Sequence, residues 1–282
     1  YGAAWQQDFH VAHERVSKLE DIVRFRKSKY LQSEVYHQFE NVCKDLVQGK
    51  IVVFSGTPCQ IAAINRAVKC NNENLYTIDL VCNGVGSPKA FQNYLVNKYG
   101  EVSSVDMRHK DFYHGNIFYK WFEVVTAKGK KHLERMNYYL SAYYAGEFNR
   151  MDCFNCPYAC KERISDFTIG DVHSSYPQLN QEEYKNGVSV MLLNTQKSSM
   201  LKVFLEREMA ITQVQYEDIF MKSRRLREAG QKPSNYPEML EYVTTQNTNH
   251  DKYIKQNTYI TPMWKQKFGE WIPEFVWKTI KR

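Results

Sequence analysis

Two short apolar runs in the first third of the chain constrain the fold more than any other feature. Residues 51–54 and 75–81 are each four to seven residues long, mostly apolar, and closed by a turn that contains glycine. Runs of this kind are typical of strands that are buried on both faces. A helical pattern follows each run, from about Gln60 and over residues 87–100. This alternation of strand and helix predicts a parallel α/β layer.

Weaker patterns follow along the rest of the chain. They are strands at 102–108, 117–126, 166–169 and 188–193, a hairpin turn at 127–130, and a tyrosine-rich helix at 137–146. After about residue 198 the pattern is mostly helical. The predicted fold class is α/β, with a mixed, partly parallel sheet and flanking helices followed by a mostly helical C-terminal extension. We divide the chain into a domain at 1–205 and an extension at 206–282.

Two helices are predicted before the first of these strands. Residues 17–20 read Ser-Lys-Leu-Glu, which has the form of a capping box at the start of a helix. A second helix is predicted from Ser33, with Gly49 as its end. Its buried stripe would consist of Val35, Phe39, Val42, Cys43 and Leu46.

Composition excludes several classes of protein. Hydrophobic residues make up 43% of the chain, yet no stretch approaches the 18 or so consecutive apolar residues of a membrane-spanning helix. The net charge of +7 is spread along the chain, which argues against a nucleic-acid partner. There is no signal-peptide pattern, and the seven cysteines are unevenly spaced. We therefore expect a cytoplasmic protein whose thiols serve a metal or redox function.

Four cysteines are candidates for one metal site. Cys59 closely follows the first predicted strand, and Cys82 directly follows the second. If these strands are parallel neighbours, both thiols emerge at the carboxyl edge of the sheet, where α/β folds build their sites. Cys153 and Cys156 form a C-x-x-C loop that could close over the same edge. Four such thiolates would suit a 4Fe-4S cluster or a structural zinc ion, and spacing alone does not choose between them.

The remaining cysteines have simpler interpretations. Cys43 lies on the apolar stripe of a predicted helix and is expected in the core. Cys70 stands in a polar stretch and is expected at the surface. Cys160 would extend the loop to C-x-x-C-x-x-x-C and is a second-choice ligand.

Five ordered motifs resemble those of a known family. They are Lys29-Tyr30-x-Gln32-Ser33, Phe54-Ser55-Gly56-Thr57-Pro58-Cys59-Gln60-Ile61, Asp79-Leu80-Val81-Cys82-Asn83-Gly84-Val85-x-Ser87-Pro88, Cys153-x-x-Cys156 and Arg163-Ile164-Ser165-Asp166-x-Thr168-Ile169-Gly170-Asp171. On these motifs the chain resembles the coenzyme F-420 hydrogenase/dehydrogenase beta-subunit family over roughly residues 1–205. Because the family is broad, the motifs identify the family much more specifically than they identify a substrate.

The resemblance implies an iron–sulfur flavoprotein that moves electrons between FAD and a 4Fe-4S cluster. By position, Cys59, Cys82, Cys153 and Cys156 match the family's cluster ligands, which favours iron over zinc. The segment that contains Lys29, Tyr30 and Ser33 matches one expected to contact FAD, and a lysine cation suits a diphosphate or the electron-rich edge of a flavin. Thr57 and Gln60 are expected either to hydrogen-bond the cofactor or only to shape the loop. The implied partners are a ferredoxin, or a fused ferredoxin-like module, and a small-molecule substrate or deazaflavin.

The sequence departs from the family pattern in two places. Family members usually carry an upstream segment with ferredoxin-like cysteines and a Gly-rich flavin loop, so this chain, which begins with Tyr1, is expected to be a fragment. After Asp171 the family often continues with Phe-Trp-Gly, whereas Val172 and His173 follow here. The sequence singles out no catalytic acid or base.

Two further interpretations stay open at this stage. The first is a non-catalytic interaction module whose four cysteines hold a structural zinc ion. The second concerns residues 262–282, where aromatic and cationic residues recur at roughly helical spacing. Such a segment could lie on an anionic membrane surface, which would place the protein at the inner face of a membrane, or its aromatic residues could pack on the domain.

Overall fold

The fold is described from a computed structural model. It describes residues 1–68, 73–113, 116–135, 137–172, 176, 178–180, 182–183, 187–245 and 249–258. The strands in this part are β1 (Gly2–Trp5), β2 (Val11–Glu14), β3 (Ser33–Glu34), β4 (Val52–Gly56), β5 (Leu75–Leu80), β6 (Val102–Tyr113), β7 (Asn116–Thr126), β8 (Lys131–Arg135), β9 (Phe167–Asp171) and β10 (Ser189–Leu193). The α-helices are α1 (His37–Val47), α2 (Pro58–Ala67), α3 (Pro88–Tyr99), α4 (Tyr138–Ala145), α5 (Gln196–Met200), α6 (Lys202–Glu208), α7 (Tyr216–Lys222), α8 (Tyr236–Thr245) and α9 (His250–Asn257).

The two apolar runs of the sequence form neighbouring strands of the central sheet. Its strand order is β10-β9-β5-β4, in which β4, β5 and β9 run parallel and β10 runs antiparallel to β9. Alternate residues of β4 are buried because α1 and α2 pack against it through an apolar cluster that includes Phe54, Ile61 and Ile64. The predicted parallel pair is therefore confirmed.

Two smaller sheets flank this one. Strands β1, β2 and β3 form one sheet, with β3 parallel to β2, and strands β6, β7 and β8 form an antiparallel meander. The turn predicted at 127–130 joins β7 to β8. Parallel and antiparallel pairs thus coexist with flanking helices and a helical C-terminal region, so the predicted fold class is confirmed.

The C-terminal helices share a core with the middle of the chain. Phe91 and Tyr139, from α3 and α4, lie in the same buried cluster as Met239 and Val243 of α8 and Ile254 of α9. Lys98 of α3 reinforces this packing with ion pairs to Glu134 of β8 and to Asp251 of α9, at 2.7 and 2.8 Å. Residues 236–257 are thus joined to the preceding part by apolar and ionic contacts. The division at residue 205 stays a prediction.

Two predicted helix starts are wrong. The segment after the Ser17 capping box is a 3-10 helix, Leu19–Phe25, which has no side-chain cap and buries none of its residues. The helix predicted from Ser33 begins at His37, because Ser33 pairs with β2 in a short parallel strand. The predicted stripe residues all pack in one apolar cluster, but Val35 precedes the helix; Gly49 follows the end of the helix with a positive φ of 76°.

No helix in the described part of the chain is long and apolar enough to cross a membrane. The predicted amphipathic tail, 262–282, lies outside the described residues, as does Cys70.

Candidate functional site

The carboxyl ends of β4 and β5 place two of the candidate cysteines. Cys59 is the second residue of α2, whose start is fixed by Pro58 and by a 2.9 Å hydrogen bond from the Thr57 amide to the Gln60 side chain. Cys82 follows β5, and its Sγ accepts a 3.3 Å hydrogen bond from the amide of Gly84. Because Gly56 and Asp79 are paired in the parallel ladder, the two turns leave the sheet at the same edge.

Backbone pairing brings the C-x-x-C loop to this edge. The amide of Ser87 donates to the Phe148 carbonyl, and the amide of Arg150 donates to the Val85 carbonyl, each at 2.9 Å. The 3-10 helix Met151–Asn155 then begins, and it carries Cys153. Cys153 and Cys156 are therefore held beside the turn that contains Cys82.

Burial and neighbouring thiols raise the pKa of two of the four cysteines, Cys82 and Cys153. Burial raises the pKa of the Cys82 thiol to about 12, and electrostatic repulsion from Cys153, Cys59 and Cys156 adds to the increase. Burial also raises the pKa of Cys153, with further contributions from Cys59 and Cys156. The hydrogen bond from Gly84 opposes the shift at Cys82, and one from the Val85 backbone opposes it at Cys153.

The thiols are neighbours without being closed around a single point. Among the described residues, no group of three cysteine, histidine or carboxylate side chains is arranged so that it could hold one metal ion. The Cys160 thiol donates to the Glu162 carbonyl at 3.3 Å. The assignment of ligands stays a prediction.

A buried ion pair anchors the loop that follows the cysteines. The guanidinium of Arg163 donates to the Asp79 carboxylate at 2.6 Å, and both side chains are almost fully buried. Arg163 also donates to the Tyr158 carbonyl at 3.0 Å and to the Thr168 hydroxyl at 3.2 Å. The Arg163–Asp171 motif therefore has a structural role, because Arg163 ties the loop to the end of β5.

The predicted cofactor segment, residues 29–33, runs along the same edge. The backbone amide of Gln32 donates at 3.0 Å to the carbonyl of Gly86, which follows the Cys82 turn in the sequence. The Gln60 side-chain amide donates to the Ser33 carbonyl at 3.2 Å, just after the Cys59 turn. The Gln60 side chain thus hydrogen-bonds to the backbone of both Thr57 and Ser33.

Lys29 is a partly buried cation in this segment. Its ammonium group donates to the carbonyls of Arg26 and Lys27, at 3.1 and 3.4 Å. No carboxylate of the described residues lies within ion-pair distance of it. Burial lowers the pKa of Lys29 to about 8, although Asp106 and Glu14 act in the opposite direction.

A cationic cleft adjoins this lysine. It has a volume of about 340 Å³, and its lining includes Arg24, Arg26, Lys27 and Trp5 together with the carboxylate of Asp106. This volume is at the lower end of the range for small-molecule sites. Lys27 is ion-paired with Asp106 and Arg24 with Glu14, which leaves Arg26 as the lining cation without an ion pair among the described residues. A cation beside an aromatic ring suits a ligand that combines a phosphate group with a flat ring.

Tyrosines connect the two candidate sites. The rings of Tyr30 and Tyr143 are 4.7 Å apart between centroids, and the Tyr144 hydroxyl donates to that of Tyr30 at 3.0 Å. Tyr143 in turn donates to the Gly84 carbonyl at 2.9 Å. Arg108, which is ion-paired with Asp171, also contacts the Tyr30 hydroxyl, at 3.5 Å. Through Tyr143, Tyr30 therefore connects the cofactor segment to the turn of Cys82.

Sequence reasoning missed several residues of the site. His13 is buried and accepts from or donates to two scaffold groups, the Ser33 hydroxyl and the Ser55 carbonyl, each at 2.8 Å. Tyr143 and Tyr144 were visible only as part of a tyrosine-rich helix. Arg108 and Arg225 had no local signal, since their partners are distant in the sequence.

Comparisons with known proteins complete the description. Residues 49–218 match the model of the family described as coenzyme F420 hydrogenase/dehydrogenase, C terminus of the beta subunit. Nothing among curated proteins matches the chain. A solved chain of the F420-reducing [NiFe] hydrogenase complex from Methanosarcina barkeri is similar, with 15% identity, a TM-score of 0.48, and coverage of 90% of this chain and 78% of that one. At this level of similarity the solved chain indicates nothing about ligands or partners.

Proposed function

The chain belongs to the coenzyme F420 hydrogenase/dehydrogenase beta-subunit family, and we propose that it is an iron–sulfur flavoprotein that passes electrons between a 4Fe-4S cluster and FAD. The proposed cluster ligands are Cys59, Cys82, Cys153 and Cys156. The observation that carries the proposal is that the turns of Cys59 and Cys82 leave one sheet edge, where backbone hydrogen bonds hold the C-x-x-C loop and the cofactor segment 29–33 beside them.

The residues present fit a sulfur-rich centre. Amide groups of Gly84 and Val85 hydrogen-bond to the thiols of Cys82 and Cys153, which is how proteins stabilise the charge on cluster sulfurs. Cys82 is partly buried, whereas Cys59 is exposed. A centre held by these residues would have one protected side and one side that a partner can approach.

The residues near Lys29 fit the flavin cofactor. Lys29, Tyr30 and the cationic cleft would hold its phosphate groups and one face of its ring system. Ser33, Thr57 and Gln60 would position this segment through their scaffold hydrogen bonds. When bound, FAD exchanges electrons in pairs or singly and the cluster exchanges them singly. Tyr30, which packs on Tyr143, would link this segment to the turn of Cys82.

The proposal extends to partners. Exposure of Cys59 supports an electron-transfer partner such as a ferredoxin, or a fused ferredoxin-like module, that docks at this edge. The proposed two-electron partner is a small-molecule substrate or a deazaflavin.

Metal and flavin analysis of the full-length protein, purified without oxygen, tests the proposal. We expect iron, sulfide and FAD in fixed ratio to protein, with the broad visible absorbance of a 4Fe-4S cluster. Cys82→Ser should abolish that absorbance, whereas Cys160→Ser is the matched control and should retain it. Stoichiometric zinc without iron would overturn the proposal in favour of a structural zinc module.

A further inference from the structure

Arg225 lies beside the cysteine site, although it comes from the C-terminal part of the chain. Its Nε donates to the Asn83 side-chain oxygen at 3.0 Å, and Asn83 directly follows Cys82. The contact joins residues 142 positions apart, and Arg225 lies beyond the end of the family match at residue 218. The buried side chain of Leu226 holds the short 3-10 helix, Arg224–Leu226, in place.

One nitrogen of the Arg225 guanidinium has no hydrogen-bond partner among the described residues. This nitrogen, Nη1, is shielded from solvent. The backbone at Gly230 passes close to the other terminal nitrogen, Nη2. A Cβ added to Gly230 would lie 3.3 Å from it. A shielded guanidinium nitrogen of this kind is costly unless an anion or acceptor compensates it.

Other cations near the cysteines already have carboxylate partners. Arg163 is ion-paired with Asp79 at 2.6 Å, and Arg150 with Asp152 at 2.7 Å. Arg225 forms no ion pair within 4 Å among the described residues; the nearby Glu228 is paired with Arg224 at 2.5 Å. Burial and the neighbouring Arg224 lower the pKa of Arg225, whereas Cys82 and Glu228 act in the opposite direction, so the Cys82 thiol lies within electrostatic reach of the guanidinium.

We propose that Arg225 is the counter-charge of the four-cysteine site and raises the reduction potential of the centre bound there. The proposal rests on the proposed function. Four thiolates with an iron–sulfur core or a zinc ion carry net negative charge, and partial burial makes that charge costly. A fixed cation beside Cys82 stabilises the anionic site, and it stabilises the reduced cluster most because that state is more negative.

Arg225→Gln removes the charge with little change of shape. Its Nε2 takes the place of the arginine Nε, so the bond to Asn83 can be kept. Arg225→Lys keeps the charge. Arg224→Gln is the matched control, because Arg224 is the preceding residue and its charge lies at the surface, paired with Glu228.

The midpoint potential of the full-length, iron-loaded protein is the main readout. We expect R225Q to lower it by an amount equivalent to about a tenfold change in the equilibrium constant, or about 59 mV for one electron. R225K and R224Q should stay close to the wild type. Equal potentials in R225Q and R224Q would overturn the proposal. So would an unchanged R225Q potential with a raised KM for the electron acceptor, because Arg225 would then bind substrate.

Metal retention gives a second readout that does not require iron. If the protein holds zinc, the proposed function fails, but R225Q should still lose zinc to a chelator about tenfold faster than R224Q because the thiolates lack their counter-charge. R225K should retain zinc like the wild type. Equal rates for R225Q and R224Q, or a loss as rapid in R225K as in R225Q, would contradict the role of charge at this position.

Discussion

The hydroxyl of Tyr143 donates a 2.9 Å hydrogen bond to the carbonyl oxygen of Gly84. The same glycine presents its amide to the Cys82 thiol. Its φ of +108° and its tight fit against Asn149 leave no room for a side chain, since a Cβ would be 2.6 Å from the Asn149 amide nitrogen. Tyr143 and Asn149 therefore fix the conformation of the turn that presents Cys82.

Removing this hydroxyl should loosen the turn. Tyr143→Phe loses one hydrogen bond to a partly buried carbonyl, so we expect the free energy of unfolding to fall by about 1 kcal/mol. Hydrogen exchange should become faster at residues 82–86. The measurement is urea unfolding together with hydrogen exchange by mass spectrometry.

The matched control for this change is Tyr138→Phe, which alters a tyrosine of the same helix that does not contact Gly84. It should leave exchange at 82–86 unchanged. Equal protection of this turn in the wild type and Tyr143→Phe would show that the hydroxyl does not hold it.

Features of the site that depend on neighbouring residues in the sequence, such as helix caps and apolar strands, could be predicted. Pro88 and Ser87 start α3 as expected, and the Ser87 hydroxyl accepts from the Ala90 amide at 3.3 Å. The parallel pairing of β4 and β5 followed from two apolar runs. Together these features are enough to locate Cys59 and Cys82 at one sheet edge from the sequence alone.

The rest depended on contacts between distant residues. The helix predicted at Ser33 failed because pairing with β2 and the hydroxyl contact to His13 hold this residue in an extended strand. Tyr143 and Arg225 reach the cysteine turn only through packing of α4 and of the C-terminal segment. Neither residue has a local sequence signal that points to Gly84 or Asn83.

The buried ion pair of Asp79 and Arg163 should contribute strongly to stability. Asp79→Asn removes the charge that compensates a nearly inaccessible guanidinium, so we expect a loss of about 3 kcal/mol in the free energy of unfolding. Glu206→Gln removes half of the exposed Lys202–Glu206 pair and should cost less than about 0.5 kcal/mol. Urea unfolding at neutral pH compares the two, and similar small losses would contradict the assigned role of Asp79.

His13 should make stability fall in mild acid. Burial lowers the pKa of His13 to about 4 from an unfolded value of 6.5, so the unfolded chain binds more protons between these values. The contribution of His13 is complete above pH 6.5 and is lost as the pH falls towards 4, amounting to about 3 kcal/mol. Unfolding measured across this range should show the loss.

A histidine substitution isolates this effect. His13→Gln should be less stable at pH 7 and should show a weaker decrease between pH 6.5 and 4. His37→Gln replaces an exposed histidine and should reproduce the wild-type profile. If His13→Gln keeps the wild-type pH dependence, other groups cause it.

Lys29 should make the binding of an anionic cofactor depend on pH. Because burial lowers the pKa of Lys29 to about 8, the ammonium is charged at pH 7 and largely neutral above pH 9. A charge-assisted hydrogen bond to a phosphate is lost with the proton, so the affinity for FAD should fall by about tenfold between pH 7 and pH 9. Binding in turn favours the charged form of Lys29, which moves the decrease in affinity towards the upper part of this pH range.

Titration of the full-length apoprotein with FAD measures this affinity at each pH. Lys29→Gln should bind FAD weakly throughout, with a flat pH profile. Lys18→Gln, which changes an exposed lysine, should retain the wild-type decrease. An equally steep profile in Lys29→Gln would assign the pH dependence to another group.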